Sequence, residues 1–185
     1  IFYKDEWSLQ EDWIPKNSSP QFDGLNLPLK FGLANSLNIM TASILENIGP
    51  TAGPEAVIKM SRNMGVTSTL LASPSICLGT FDLSVYEMVG AYSSFANKGI
   101  YVKPVLVTRI EDKNGTVIYQ ATPETKDVLS EESAYVTLKL LEGVTEAGSG
   151  IRLRHVGADK TNPIFRDIVT GYPYAFGNPI AGKTG

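Results

Sequence analysis

A break between two helices is predicted inside the stretch Leu29-Lys30-Phe31-Gly32-Leu33-Ala34-Asn35-Ser36-Leu37-Asn38. Leucines recur at helical spacing before the break, and the apolar stripe resumes after it with Ile39, Ile44, Leu45 and Ile48. Serine favours such positions because its hydroxyl bonds to backbone groups that a helix end leaves unpaired. The stretch therefore places Ser36-Leu37-Asn38 at the junction of two helices.

A second motif, Lys183-Thr184-Gly185, admits two interpretations. Together with the residues before it, Gly177 to Thr184 satisfies the phosphate-loop pattern G-x-x-x-x-G-K-[ST], which would hold ATP and magnesium. That loop needs a helix after Thr184, and Pro179 removes one of the backbone N–H donors that would hold phosphate. Lys-Thr-Gly is also an element of enzymes that form a serine acyl-enzyme.

The composition predicts a globular chain with few special features. It has 185 residues, of which 43% are hydrophobic and 19% charged. The net charge of −3 and the scattered Lys and Arg residues exclude a basic surface for nucleic acid. No apolar run approaches the roughly 20 residues that a membrane helix needs. Cys77 and His155 are each single, so we expect no disulfide, no metal site and no cofactor.

Local signals predict one mostly helical domain over residues 1–185. Pro54 opens a helix that Gly65 ends, and Ser84-Val85-Tyr86-Glu87 is a capping box for the next one. Asn114-Gly115 predicts the turn of a β-hairpin, and Ser130 caps a last helix that ends from Gly143 onward.

Several stretches, taken in order, resemble the transpeptidase domain of penicillin-binding proteins, especially the bifunctional class A type. Ser36-Leu37-Asn38 and Lys183-Thr184-Gly185 are similar to the Ser-x-Asn and Lys-Thr-Gly elements of that family in order and approximate distance. The resemblance covers roughly residues 17–185 and includes the flanking stretches 29–38, 74–79, 91–99, 112–115 and 148–150. This ordered set discriminates better than either triplet alone.

The resemblance implies an α/β (α+β) fold in which an antiparallel sheet packs between helices. The part expected here is mostly helical, with one β-hairpin and a terminal strand near residues 180–185. Ser36 would relay a proton to the leaving group, Asn38 would hold the substrate amide, and Lys183 would support that relay. Thr184 would hydrogen-bond the substrate carboxylate, and Gly185 would let the substrate lie along the strand edge. The expected partners are peptidoglycan stem peptides and, for the full-length parent, β-lactams.

One family element is missing from the sequence. No serine is followed by lysine three residues later, the spacing that places nucleophile and base one helical turn apart. We expect this Ser-x-x-Lys segment before residue 1 and further strands after Gly185, so that the chain is an inactive part of a longer enzyme. Residues 155–179 are also longer and more aromatic than the family's usual connection.

The family resemblance also bears on location and assembly. It places the parent on the outer face of the cytoplasmic membrane, tethered by an N-terminal helix. Strand edges without partners would favour pairing of two copies. Three alternatives stay open: a phosphate-loop nucleotide hydrolase, a β-lactam sensor or class B enzyme that shares the triplets, and a non-catalytic interaction module.

Overall fold

The computed structural model describes residues 1–154, 161 and 176–184. The chain divides into two compact units. The first unit comprises Ile1–Glu55, Ala72–Thr80 and Val136–Gly185, and the second comprises Ala56–Leu71 and Phe81–Tyr135. The predictions for His155, for most of 155–179 and for Gly185 fall outside the described residues.

Helices make up most of the regular structure in the described part of the chain. They are α1 (Lys4–Trp7), α2 (Leu29–Ala34), α3 (Asn38–Ile48), α4 (Ala52–Asn63), α5 (Val85–Ala96) and α6 (Glu131–Ala147). The strands are β1 (Ile100–Val102), β2 (Arg109–Glu111), β3 (Val117–Gln120) and β4 (Thr125–Asp127). Short 3-10 turns occur at Pro20–Phe22, Pro74–Leu78 and Ile151–Leu153.

The predicted helix break is confirmed in the first unit, because α2 ends just before Ser36 and α3 begins at Asn38. The predicted apolar stripe on α3 is only partly correct. Leu45 is 2% exposed, whereas Ile44 and Ile48 are each 47% exposed. Within the described residues, α3 has one narrow buried face, which includes Ala42 and Leu45, and residues 44 and 48 share a different face of the helix.

The core of the first unit combines residues from the first 45 positions of the chain with Ile76 and with residues from the end of α6. Its buried hydrophobic residues are Phe2, Trp7, Ala34, Leu37, Ala42, Leu45, Ile76, Leu141 and Val144. Burial of such side chains supplies the main favourable term in folding. The end of α6 therefore belongs to the same packed body as α2 and α3.

The capping box predicted for α5 is confirmed in the second unit. The Ser84 hydroxyl accepts a hydrogen bond from the Glu87 N–H, and the Glu87 carboxylate accepts one from the Ser84 N–H. The same carboxylate accepts hydrogen bonds from the backbone N–H groups of Thr67 and Ser68. These donors lower the pKa of Glu87 far below its ordinary range. The buried carboxylate thus joins the start of α5 to the 67–68 loop.

Two antiparallel strand pairs lie in the second unit. The predicted hairpin is confirmed as β2 paired with β3, with a register shift between Ile110 and Glu111. Gly115 has a φ of 85°, as the Asn-Gly turn requires. The second pair, β1 with β4, was not predicted from the sequence. Each of its strands has three residues, too few for an alternating pattern to be recognised.

The last helix ends within the expected stretch 143–150. Gly143 itself lies inside α6, which continues to Ala147. A Cβ atom at residue 143 would lie 3.0 Å from Lys30 Cε and 3.7 Å from Ala34 Cβ. This glycine therefore marks a close approach of α2 to α6, and not a helix end.

The terminal strand expected near residues 180–185 is not observed in 180–184. The segment instead hydrogen-bonds to α6. The Gly182 N–H donates to the Leu141 carbonyl over 3.3 Å, and the Thr145 hydroxyl donates to the Ile180 carbonyl over 2.7 Å. These backbone groups bond to a helix and not to a neighbouring strand, so the regular hydrogen bonds that define a strand are not formed.

Candidate active site

Ser36 occupies the turn that ends α2. The Leu37 N–H donates to the Gly32 carbonyl, and the Ser36 N–H donates to the Leu33 carbonyl. This pair of bonds is the Schellman motif, whose residue after the cap adopts the left-handed conformation. Ser36 has a φ of 56°, although glycine is the usual choice at such a position. Its hydroxyl caps neither helix, which leaves it free for other partners.

Lys183 supplies the partner of that hydroxyl. Its ammonium Nζ donates to Ser36 Oγ over 2.6 Å and to the Thr184 carbonyl over 2.6 Å. Partial burial lowers the pKa of Lys183, because the charged form loses water. Residues 147 positions apart in sequence thus form a direct side-chain contact.

Ser149 contacts both the end of α2 and Thr184. Its N–H and its hydroxyl both lie within hydrogen-bond distance of the Ala34 carbonyl, at 2.9 Å and 3.2 Å. Its hydroxyl also lies 2.5 Å from the Thr184 hydroxyl. The neighbouring Gly148 permits this contact, since a Cβ there would lie 2.2 Å from the Ala34 carbonyl oxygen. The end of α2 and the 183–184 segment are therefore connected through one serine.

Asn38 stands at the start of α3, with its amide turned toward the lead-in segment. Its Nδ2 donates to the Lys16 carbonyl over 2.9 Å. The next residue, Ile39, donates its N–H to Asn17 Oδ1 over 3.0 Å. Within the described residues, no hydrogen bond connects Asn38 to Lys183 or Thr184. The structure thus brings together Ser36, Lys183 and Thr184, with Asn38 adjacent in the chain.

This arrangement offers acid–base chemistry and anion binding. An ammonium in hydrogen-bond contact with a serine hydroxyl can pass it a proton, and a nearby threonine hydroxyl can donate to a carboxylate. Across residues 1–154, 161 and 176–184, no group of three or more His, Cys, Asp or Glu side chains could hold a metal ion. In the same residues, no helix is long and apolar enough to cross a membrane.

The family to which these motifs belong can be identified directly. The sequence family described as penicillin binding protein transpeptidase domain matches residues 4–185. The chain belongs to this family.

Relatives among characterised penicillin-binding proteins agree with this assignment. The chain is 30% identical to penicillin-binding protein 1A of Clostridium novyi over 179 residues, which is 94% of this chain and 18% of the relative. It is 32% identical to penicillin-binding protein 1A of Aquifex aeolicus over 154 residues, which is 82% of this chain and 20% of the relative. The chain spans about a fifth of the length of these curated relatives.

Solved structures of penicillin-binding proteins share the fold. Penicillin-binding protein 1A from Haemophilus influenzae superimposes with a TM-score of 0.64 at 24% identity, over 78% of this chain and 26% of that one. Penicillin-binding protein A from Mycobacterium tuberculosis, solved as an imipenem acyl-enzyme complex, has a TM-score of 0.57 at 18% identity, over 72% of this chain and 37% of that one. The mixed helix-and-sheet fold inferred from the sequence is therefore confirmed as part of a penicillin-binding transpeptidase fold.

The phosphate-loop alternative finds no support in this family or in the structure. Residues 177–184 contain neither the strand nor the helix that a phosphate loop joins. Lys183 points instead to the Ser36 hydroxyl. The pattern fixes two glycines and a lysine and allows serine or threonine at one further position, so a chance match is common.

Sequence reasoning missed two residues that position the 180–184 segment of this candidate site. Thr145 is 1% exposed and holds the Ile180 carbonyl, and Ser149 contacts the Thr184 hydroxyl. The small residues at 148–150 were recognised as family-like, but no role was assigned to the serine between them. A serine flanked by glycines is the signal that could have marked it, because glycines permit close backbone approach.

Proposed function

We propose that this chain carries the substrate-binding and proton-relay part of a serine D,D-transpeptidase, within one transpeptidase domain of which residues 1–185 are a portion. The observation that carries the proposal is the 2.6 Å contact from the Lys183 ammonium to the Ser36 hydroxyl. Membership of the penicillin-binding family supports it, because that family contains the Ser-x-Asn and Lys-Thr-Gly elements.

The Lys183–Ser36 contact sets the direction of the relay. An ammonium has three donors and no acceptor, so Ser36 Oγ accepts from Lys183 and directs its own proton elsewhere. That proton is the one Ser36 would give to the leaving amine of the substrate. The lowered pKa of Lys183 eases the return of a proton to the serine.

Acylation would then balance as follows. The nucleophilic serine would give its proton to the base that activates it, its oxygen would bond to the penultimate D-Ala carbonyl carbon, and the C–N bond to the terminal D-Ala would break. The leaving nitrogen would take the Ser36 proton, Lys183 would replace that proton, and the proton held by the base would restore Lys183.

The remaining residues would hold the substrate. Thr184 would donate to the terminal carboxylate, with the Lys183 charge adding positive potential nearby. Asn38 donates its Nδ2 to Lys16, so its Oδ1 is the atom that would accept an N–H from the substrate amide. Gly185 would allow the substrate backbone to lie close to the chain.

The nucleophile would come from a segment outside these 185 residues. No serine in the chain has a lysine three residues later. We expect the purified chain to give no covalent band with a fluorescent penicillin after denaturation, whereas the complete gene product that contains it should give one. A denaturation-resistant band on the chain alone would contradict the proposal that it lacks the nucleophile.

The Ser36→Ala variant of the complete gene product tests the role of the relay. Loss of a general acid–base group typically costs about 10²- to 10⁴-fold in rate. We expect the rate of acylation by penicillin to fall by that order, and Ser18→Ala, at an exposed serine, to leave it unchanged. A complete gene product that penicillin does not acylate would favour a non-catalytic interaction module instead.

The proposed partners and location follow the same family. The substrates would be peptidoglycan stem peptides ending in D-Ala-D-Ala, and β-lactams would acylate the parent, as imipenem does in the Mycobacterium tuberculosis relative. The site would act on the outer face of the cytoplasmic membrane. Ile118 in β3 is 68% exposed and Leu106, which precedes β2, is 92% exposed, so association of two copies through exposed strand edges stays a prediction. Light scattering across a concentration series measures that association.

A further inference from the structure

The hydrogen bond between the Ser149 and Thr184 hydroxyls can form in two ways, which differ in which of the two hydroxyls donates its proton. Each hydroxyl has one proton and can accept as well as donate. The Ser149 hydroxyl lies 3.2 Å from the Ala34 carbonyl and 2.5 Å from the Thr184 hydroxyl. The carbonyl can only accept. When Ser149 donates to Ala34, the Thr184 proton must therefore point to Ser149 and away from any ligand.

A second arrangement of the same atoms releases the Thr184 proton. If the Ser149 proton rotates toward Thr184 Oγ1, then the Thr184 proton is free to point outward. The Ala34 carbonyl keeps a partner in this arrangement, because the Ser149 N–H still donates to it over 2.9 Å. No proton is transferred between oxygens, and each hydroxyl only rotates its own.

We propose that Ser149 is a positioning residue for carboxylate recognition, which turns the Thr184 hydroxyl into a donor by donating to it. The inference rests on the proposed function and deepens it. A carboxylate offers acceptors only, so its binding selects the arrangement in which Thr184 donates outward and Ser149 donates to Thr184. A neutral ligand that presents an N–H donor to the Thr184 hydroxyl cannot accept its proton, so this arrangement adds nothing to the binding of such a ligand.

The surroundings of Ser149 favour this role over simple packing. Its side chain is exposed, so its removal leaves no cavity in the core. The backbone bond from Ser149 to Ala34 does not need the side chain, and it would persist in an alanine variant. The hydroxyl is thus separable from the fold at this position.

The test compares two ligands that differ only at the carboxylate. Second-order acylation constants are measured on the complete gene product with a penicillin and with the decarboxylated analogue of the same penicillin, which has no acceptor at this place. For Ser149→Ala we expect a loss of about three- to tenfold with the carboxylate, which is the usual worth of one hydrogen bond, and less than twofold with the decarboxylated analogue. Ser149→Thr, which keeps a hydroxyl, should restore the carboxylate rate.

A double variant separates action through Thr184 from independent action. In a Thr184→Val background, Ser149→Ala should cause no further loss with the carboxylate ligand. Equal losses with both ligands, no loss with either, or full additivity with Thr184→Val would each overturn the inference. Those results would contradict the inference but not the proposed function. A wild-type complete gene product that penicillin does not acylate would contradict both.

Discussion

Ser36 combines a strained backbone with a side chain that we propose relays a proton, and two substitutions separate these properties. Its φ of 56° places a residue with a Cβ in the left-handed region, which costs roughly 1–2 kcal/mol. Both Ser36→Ala and Ser36→Gly remove the oxygen that Lys183 contacts at 2.6 Å. Only the glycine variant also removes the Cβ. The two variants should therefore share one functional defect and differ in stability.

The magnitudes follow from the two contributions. The lost hydrogen bond costs about 1 kcal/mol in either variant, since Lys183 is only partly buried and water replaces part of the interaction. Removal of the Cβ in the glycine variant relieves roughly 1–2 kcal/mol of backbone strain. The greater entropy of the unfolded glycine chain lowers the free energy of unfolding by about 0.5–1 kcal/mol. We expect Ser36→Ala to lower the free energy of unfolding by about 1 kcal/mol. The free energy of unfolding of Ser36→Gly should lie about 0 to 1.5 kcal/mol above that of Ser36→Ala, close to the wild type.

The assay is urea-induced unfolding of the purified chain, with acylation of the complete gene product measured in parallel. Both variants should lose acylation to a similar degree, whatever their stability. A glycine variant that is less stable than the alanine variant would refute the strain argument. A glycine variant that kept its acylation rate would refute the role of the hydroxyl.

Two further predictions concern residues outside the Lys183–Ser36 contact. The carboxylate of Glu87 has a pKa far below its ordinary value of 4.5 because backbone donors hold it, so its stabilisation is present above that value and is lost as the pH falls. Glu87→Gln should lower the melting temperature at neutral pH and flatten its decline in acid, and an unchanged acid profile would contradict this. Gly148→Ala would place a Cβ 2.2 Å from the Ala34 carbonyl oxygen and should cost about 1–3 kcal/mol of unfolding free energy. Gly177→Ala, with no atom within 4 Å of its added Cβ, is the matched control in urea unfolding, and equal effects of the two would refute the close-approach argument.

Local motifs were predictable because their causes lie within a few residues. The capping box at Ser84 and Glu87 pairs groups three positions apart, and the structure contains it as expected. The turn at Gly115 and the break at Ser36 likewise depend on backbone preferences of the residues concerned. These features could be inferred from the sequence without knowledge of their neighbours in space.

Features that depend on packing partners were predicted less well. The last helix ends inside the expected stretch 143–150, but the role of Gly143 was not predicted, since it lies within α6 where α2 approaches closely. Ile44 and Ile48 were expected inside, but each is 47% exposed, because no element among the described residues covers their face of α3 fully. The strand expected near 180–184 hydrogen-bonds to α6 instead. In each case the decisive neighbour is distant in the sequence.

The sequence by itself determined the family and the two motifs, because ordered short patterns are encoded residue by residue. It identified Ser36 and Lys183 as candidates, although 147 positions separate them. Only the tertiary structure decided that their side chains touch and that Ser149 connects Thr184 to the end of α2. The physical reason is that a hydrogen bond depends on distance and direction in space, which the folded core sets and the spacing of letters does not.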